Sequence, residues 1–257
     1  KFWNNFGAVL KEGLYEDPTR KEQLLKLARF HSTNGDELVS LEEYLSRISD
    51  KQEKIYLITG DDLDSVRSSP QLEGYEARGI EVLLLTDPVD EFWVPSIGNY
   101  QEKPFVSVMR GNSDLNPLET SKSNEGSETS SLKPGDVAVL VALMKQSLGD
   151  KVKEVRSSER LTTSAVCLVA DDSDPDRHLA KMLKLHGKLK EIPPGVLEIN
   201  PKHSLIRALA EKTKKKGSDK ELESACYLLF DLARIIEGDP PLELSMFAKR
   251  FTDLLEK

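Results

Sequence analysis

At 257 residues the chain can hold two modest domains, each large enough to bury its own core. With 38% hydrophobic and 31% charged residues it reads as soluble and helix-rich, and its net charge of −8 argues against a nucleic-acid backbone as main partner. No apolar run approaches the roughly eighteen residues of a spanning helix, so no membrane partner is expected. No signal peptide is apparent, and the opening Lys1-Phe2-Trp3 reads as the inside of a helix, as expected of a piece of a longer protein.

The first thirty residues read as two helices. Phe2, Phe6, Val9 and Leu10 fall at helical spacing, and Leu24, Leu25, Leu27 and Ala28 mark the apolar side of a second helix. Asp17-Pro18 is expected to start that helix, with Gly35 just beyond it. Ser40 and Glu43 form a capping-box signature for a helix over Leu41 to Ile48. Lys54 to Thr59 and Ile80 to Leu85 are short runs rich in branched side chains, the pattern of strands covered on both faces. The helical segment between them is interrupted at Ser68-Ser69-Pro70 and closed by Gly79, so the three pieces make a parallel βαβ unit. After the second strand, Pro88 is expected at the first position of a helix, capped by Thr86 or Asp87, with Asp90 and Glu91 favouring its positive end. Pro104 to Val108 supplies a third strand.

Residues 111–131 are almost bare of large apolar groups and cannot offset their ordering entropy by burial, so a flexible linker or loop is expected there. Beyond it, Val137, Leu140, Val141, Met144 and Leu148 form one helical stripe. Val152 to Val155, Ala165 to Val169 and Val196 to Ile199 are strand candidates. Helices are expected over His203 to Lys215, Asp219 to Ile236 and Leu242 to Leu255, broken at Gly217 and at Gly238-Asp239-Pro240-Pro241.

Most sites of catalytic chemistry find no support. No Gly-rich phosphate loop, HExxH or Gly-x-Ser-x-Gly occurs. His31, His178, His186 and His203 lack ligand spacing, and Cys167 and Cys226 form no CxxC, so two buried reduced thiols are expected. Asp172, Asp174 and Asp176 resemble the start of a calcium loop, but Arg177 stands where Gly is needed and Leu183 where Glu is needed. Asp174 instead reads as an N-cap, Pro175 as the first helical residue and Gly187 as the stop. Asp61 and Asp62 after a strand read as caps rather than phosphoacceptors, and Lys212, Lys214, Lys215 and Lys216 as a solvated helix end.

Two apolar surfaces remain for binding. In the terminal hairpin, Leu222, Ala225, Cys226, Leu228, Leu229, Leu232, Ile235 and Ile236 line one helix. Leu244, Phe247, Ala248, Phe251, Leu254 and Leu255 line the other. Such a hairpin either packs onto its own domain or pairs with a second copy as a four-helix bundle. The helix after Pro175 carries a ridge of Leu179, Met182 and Leu183, which is either core or an adaptable contact surface.

KQEKIYLITGDD, SSPQLEGYEARGIEVLLLTDPVDEFWV and LARFHST…LVSLEEYLSRI resemble the middle domain of bacterial heat-shock-protein-90 chaperones. RLTTSAVCLVA and VLEINPKHSLI resemble their C-terminal domain, in the same order. Ala165 and Ser204 depart from the Pro usual at those positions, which bears on local turns. The resemblance implies an α/β plus α+β fold: a small three-layer αβα middle subdomain (residues 1–112), a linker (113–132), and a mixed α+β dimerisation domain (133–257) ending in a helical hairpin. It implies a homodimer through Leu228, Leu229, Leu232, Ile235, Ile236, Phe247, Phe251, Leu254 and Leu255. It also implies contact with incompletely folded client proteins through Leu179, Met182 and Leu183, with Glu91 and Phe92 on a matching surface. ATP and Mg belong to a domain of the parent protein that this sequence lacks, so no catalytic, cofactor-binding or metal-binding residue is expected here, and the setting is expected to be cytoplasmic. Two rival readings remain: a dimerisation module without client contact, and an enzyme using the strand ends near Thr59-Gly60 and Thr86-Asp87.

Overall fold

The computed structural model describes residues 2–17, 19–111, 133–214 and 219–256, with eleven α-helices and two mixed β-sheets. The fold is mixed α and β. The chain divides into two compact units, the first running to Met109 and the second taking up the chain at Arg110. The expected linker over residues 113–132 lies outside the described residues, as do Pro18, Lys215, Lys216 and Gly217 of the expectations above.

The first unit opens with α1 (Phe2–Glu16) and α2 (Lys21–Leu27), then β1 (His31–Ser32) and α3 (Leu41–Arg47). β2 (Ile55–Thr59), the short helices α4 (Leu63–Arg67) and α5 (Glu73–Glu76), and β3 (Leu83–Leu85) form the βαβ unit. α6 (Asp90–Ile97), β4 (Asn99–Tyr100) and β5 (Lys103–Ser107) complete it. The sheet order is β1-β3-β2-β5-β4, with β2 parallel to both β3 and β5 and the two short edge strands antiparallel.

Alternation along the two central strands divides the interior. Ile55, Leu57, Leu83 and Leu85 join one cluster with Leu14, Leu25, Leu41, Tyr44 and Trp93. Tyr56, Ile58, Val82 and Leu84 join the other with Val66, Leu72 and Tyr75. Both faces are covered, which is why these strands read as unbroken apolar runs. The expected capping box is present: Ser40 Oγ accepts from Glu43 N at 3.1 Å, and Glu43 Oε2 accepts from Ser40 N at 2.7 Å.

Several boundaries differ from expectation. α2 starts at Lys21, because Asp17 spends its carboxylate on the backbone N–H and hydroxyl of Thr19. It ends at an extended Ala28, well before Gly35, and β1 fills the gap. On α1, Phe2, Phe6 and Val9 point outward and Leu14 inward. α6 starts at Asp90 rather than Pro88, with no side-chain cap.

The reason is that Asp90 is an interior group. It is fully buried, accepts from Trp93 Nε1 at 2.6 Å and from Asp87 N at 3.1 Å, and holds Lys11 Nζ at 3.0 Å. Lys11, 4% exposed on α1, also reaches Asp87 Oδ2 at 2.8 Å and stands over the Phe30 ring. Burial pushes the Asp90 carboxyl above its usual range, against the opposing pull of Lys11.

The second unit carries α7 (Pro134–Leu148), β6 (Glu154–Ser157), β7 (Val166–Val169), α8 (Arg177–Leu185), β8 (Val196–Ile199), α9 (Ser204–Lys212), α10 (Asp219–Ile236) and α11 (Leu244–Leu255). Its sheet order is β6-β8-β7, with β6 parallel and β7 antiparallel to β8. Leu140, Met144 and Leu148 of the predicted α7 stripe pack with Val155, Leu168, Leu197, Ile206, Leu229 and Phe230.

Removing one partner of a buried ion pair strands the other, so Lys11→Met is expected to cost about 3 kcal/mol or more. Adding Asp90→Asn should recover part of that loss, since Asn keeps an oxygen for Trp93 Nε1. Urea midpoints of the two variants check this, and an unchanged midpoint for Lys11→Met would sink it.

Candidate functional site

The two apolar surfaces singled out in the sequence both lie in the second unit, and neither is wholly absorbed into its core. α8 begins at Arg177, two residues later than a cap at Asp174 would give. Asp174 is instead held by Lys153, whose Nζ lies 3.3 Å from it and 2.8 Å from Asp171. These contacts and the Ser173 hydrogen bonds hold the Asp171 carboxyl well below its usual range. Asp176 takes the N-cap position, yet its side chain makes no capping bond. It accepts from Arg110 Nε at 2.7 Å. Gly187 ends the helix with φ of +69°, a conformation suited to glycine.

Along α8 only Arg177 and Ala180 are buried. Leu179, Met182 and Leu183 are half-buried, and Leu185, two residues further on, is 83% exposed. Charges add to this partial packing. Arg177 Nη2 lies 2.8 Å from Asp239 Oδ2, and Lys181 Nζ lies 3.1 Å from Asp239 Oδ1 while donating to the Glu237 carbonyl.

In the hairpin, Leu222, Cys226, Leu229, Phe230 and Ala233 turn into the core. Leu229, expected on the open face, is 3% exposed there. Burial pushes the Cys226 thiol up to about 11; neither it nor Cys167 is paired in a disulfide. The other side of α10 is open: Leu232, Ile235 and Ile236 are each at least 40% exposed. α11 buries no residue at all, and Leu244, Phe251, Leu254 and Leu255 are exposed by 48 to 71%. Leu228 and Phe247 are half-buried, the latter with its ring 6.0 Å from that of Phe251. α11 lies against α10 through Arg250, stacked 4.1 Å over the Tyr227 ring.

A third set of residues escaped the sequence reading. Glu198 on β8, 3% exposed, accepts from Arg156 Nη2 at 2.7 Å, Ser158 Oγ at 2.8 Å and Arg160 Nε at 3.0 Å. Arg160 Nη2 reaches the Arg110 carbonyl at 2.8 Å and Arg156 Nη2 the Gly111 carbonyl at 2.6 Å. Gly111 N in turn donates to Ala170 O at 2.9 Å, so the chain enters the unit as a bridge alongside β7. A lone Glu inside an apolar VLEI strand was the available signal.

In the first unit Glu91 is 5% exposed, and Phe92 is half-buried with its ring 6.2 Å from Tyr15. At the strand ends where an enzyme would work, Thr59 is buried and donates to Met109 Sδ, while Asp87 is occupied by Lys11. A cavity of about 540 Å³ opens at the other end of β3, among Thr33, Arg47, Gln52, Arg78 and Glu81. Within it Arg47 is committed to Glu81 at 2.7 Å. Among the described residues no helix is long and apolar enough to cross a membrane.

The family model described as "Hsp90 protein" matches residues 1–257. The chaperone protein HtpG of Paramagnetospirillum magneticum is 49% identical over 257 residues, covering 100% of this chain and 41% of that protein. The chaperone proteins HtpG of Gluconobacter oxydans and Rhodospirillum rubrum are 46% and 45% identical, covering 99% and 100% of this chain and 39% and 41% of theirs. The chain thus spans about two fifths of the length of the curated relatives it matches.

Behind α8, burial pushes the Glu237 carboxyl from its ordinary 4.5 up to about 7, although Arg177 and Lys181 pull the other way. A carboxyl whose folded value stands above its unfolded one opposes folding once the unfolded group ionises. Stability should therefore fall as pH rises from about 4.5, with the loss complete above about 7. Glu237→Gln is expected to exceed the parent stability at pH 8 by about 1–3 kcal/mol, the difference vanishing toward acid. Urea unfolding at pH 5 and pH 8 measures it, and an equal difference at both would contradict the assignment.

Proposed function

The chain belongs to the Hsp90 protein family, of the HtpG type, and from that premise we propose that it is the dimerising and client-contacting part of an ATP-dependent chaperone. In this reading the first unit is the tail of the family's middle domain, a small three-layer αβα subdomain, and the second is its dimerisation domain. ATP and Mg act in a domain of the parent outside this sequence, and the chain itself hydrolyses nothing. The setting is cytoplasmic.

The observation that carries the dimer is the openness of α11. A twelve-residue helix that buries none of its residues, while Phe251, Leu254 and Leu255 face outward, lacks a partner for its apolar side. Pairing with the same face of a second copy, together with Leu232, Ile235 and Ile236 of α10, gives an isologous four-helix bundle. Leu228 and Phe247 border that face, whereas Leu229 supports it from within the unit.

Client contact falls to Leu179, Met182 and Leu183, a half-buried ridge with a flexible thioether at its centre. Exposed Leu185 extends it. In the first unit Phe92 offers the contact, whereas Glu91, expected beside it on that surface, is buried. Such surfaces engage exposed apolar segments of unfolded proteins without demanding sequence.

Sedimentation equilibrium over micromolar concentrations tests the dimer. A mass near twice 28.8 kDa is expected, with Phe251→Ser/Leu255→Ser returning a folded monomer; a monomeric parent chain would remove the dimer proposal. For client contact, Leu179→Ser/Met182→Ser is expected to weaken binding of a reduced, carboxymethylated protein at least tenfold with the dimer intact. Unchanged binding would leave dimerisation without client contact.

A further inference from the structure

α8 buries only one apolar side chain completely, so its charges carry an unusual share of its attachment. It buries Ala180 and the guanidinium end of Arg177, while the ridge of Leu179, Met182 and Leu183 stays half-buried. What ties it down is a set of charges at its start and first turn. At the N-terminus Asp176 is gripped by Arg110 at 2.7 Å. One turn on, Arg177 and Lys181, at i and i+4 on the same face, close on Asp239 at 2.8 and 3.1 Å. Lys181 also donates to the Glu237 carbonyl, and Arg177 Nε stands 4.0 Å from the Glu237 carboxylate.

The anchor itself is tied by local hydrogen bonds. Glu237 and Asp239 flank Gly238, whose φ of +74° turns the chain out of α10. Asp239 N donates to Arg234 O at 2.8 Å, Arg234 Nε to Pro240 O at 2.9 Å, and Leu242 N to the fully buried Asp231 at 2.8 Å. Past Lys181 the helix opens to solvent: Lys184, Leu185 and His186 are exposed, and Gly187 ends it.

We infer that Arg177 and Lys181 with Asp239 and the Glu237 carbonyl form a latch that docks α8 onto the turn opening the α10–α11 hairpin, and that releasing it frees α8 without unfolding the unit. Arg177, Lys181 and Asp239 are positioning residues: they set how far the apolar ridge stands out. The turn is shared with the hairpin, so a shift of the hairpin is transmitted to the ridge through two ion pairs. The consequence for binding rests on the client-contact reading given above; the latch itself does not.

Hydrogen exchange with mass spectrometry on the whole chain tests it. In Asp239→Asn the amides of residues 179–185 should exchange about tenfold faster, the loss of a charge-assisted contact. Those of Val166–Val169 and Val196–Ile199 should keep their protection. Lys181→Met, at a 25% exposed side chain that removes little packing, should act in the same direction and decides the matter if Asp239→Asn fails to fold. Unchanged exchange in α8 in the folded variants, or equal acceleration in the strands, overturns the latch. Selective acceleration in α8 with no binding of carboxymethylated protein by parent or variants keeps the latch and removes the client reading.

Discussion

Much of the second unit follows from the burial of one carboxylate. Glu198 sits in the central strand of a three-stranded sheet, where an unpaired carboxylate would cost several kcal/mol, on the order of a whole domain's stability margin. Arg156, Ser158 and Arg160 surround it. The same two guanidiniums, once fixed, have donors left over, and these take the carbonyls of Arg110 and Gly111. The path by which the chain enters the unit is thus set by the need to satisfy a charge inside it. Arg110, placed by its backbone, then directs its own side chain to Asp176 at the start of α8.

The two units use buried charge in the same way. In the first, Lys11 on α1 is drawn inward to Asp87 and Asp90, and the start of α6 moves to suit. In each case apolar burial builds the layers and a paired charge fixes where one segment meets another. A removed methyl group lets neighbours relax a little; a removed ion partner leaves a group with nowhere to go. These joints are therefore stiffer in register than their modest area suggests.

What was legible in the sequence was what periodicity encodes. The covered strand β2, the capping box at Ser40 and Glu43, the α7 stripe and the terminal hairpin depend on local pattern and stand close to where the pattern puts them, while β3 keeps only Leu83–Leu85 of its apolar run. Misplaced boundaries occur where a polar side chain had two possible uses. Asp90 and Asp174 both suit a helix start by composition, but each is taken up by a distant lysine, a choice that local sequence does not record. β4 was missed for a different reason. Its turn puts Gln101 and Glu102 at φ of +48° and +65° without the glycine or asparagine that announces such a hairpin. Leu229 shows the limit of a wide apolar helix face: where nearly every side is apolar, spacing cannot tell the half that meets its own sheet from the half that stays open.

That ambiguity has a physical content. α10 is apolar on both sides because it serves two surfaces at once, packing Leu229, Phe230 and Ala233 against the sheet and leaving Leu232, Ile235 and Ile236 to α11 and beyond. Its end, at Glu237 and Asp239, is also where α8 is tied. A single helix therefore touches the core, the open hairpin face and the ridge. Anything that moves the hairpin face must either deform the packing of α10 on the sheet, which close-packed side chains resist, or pivot at the glycine that ends the helix. The second course strains the few ion pairs between α8 and the turn and leaves the apolar core alone. On this argument the charges between α8 and the turn yield before the apolar contacts do, and the amphipathic helix is the part of the unit placed to respond.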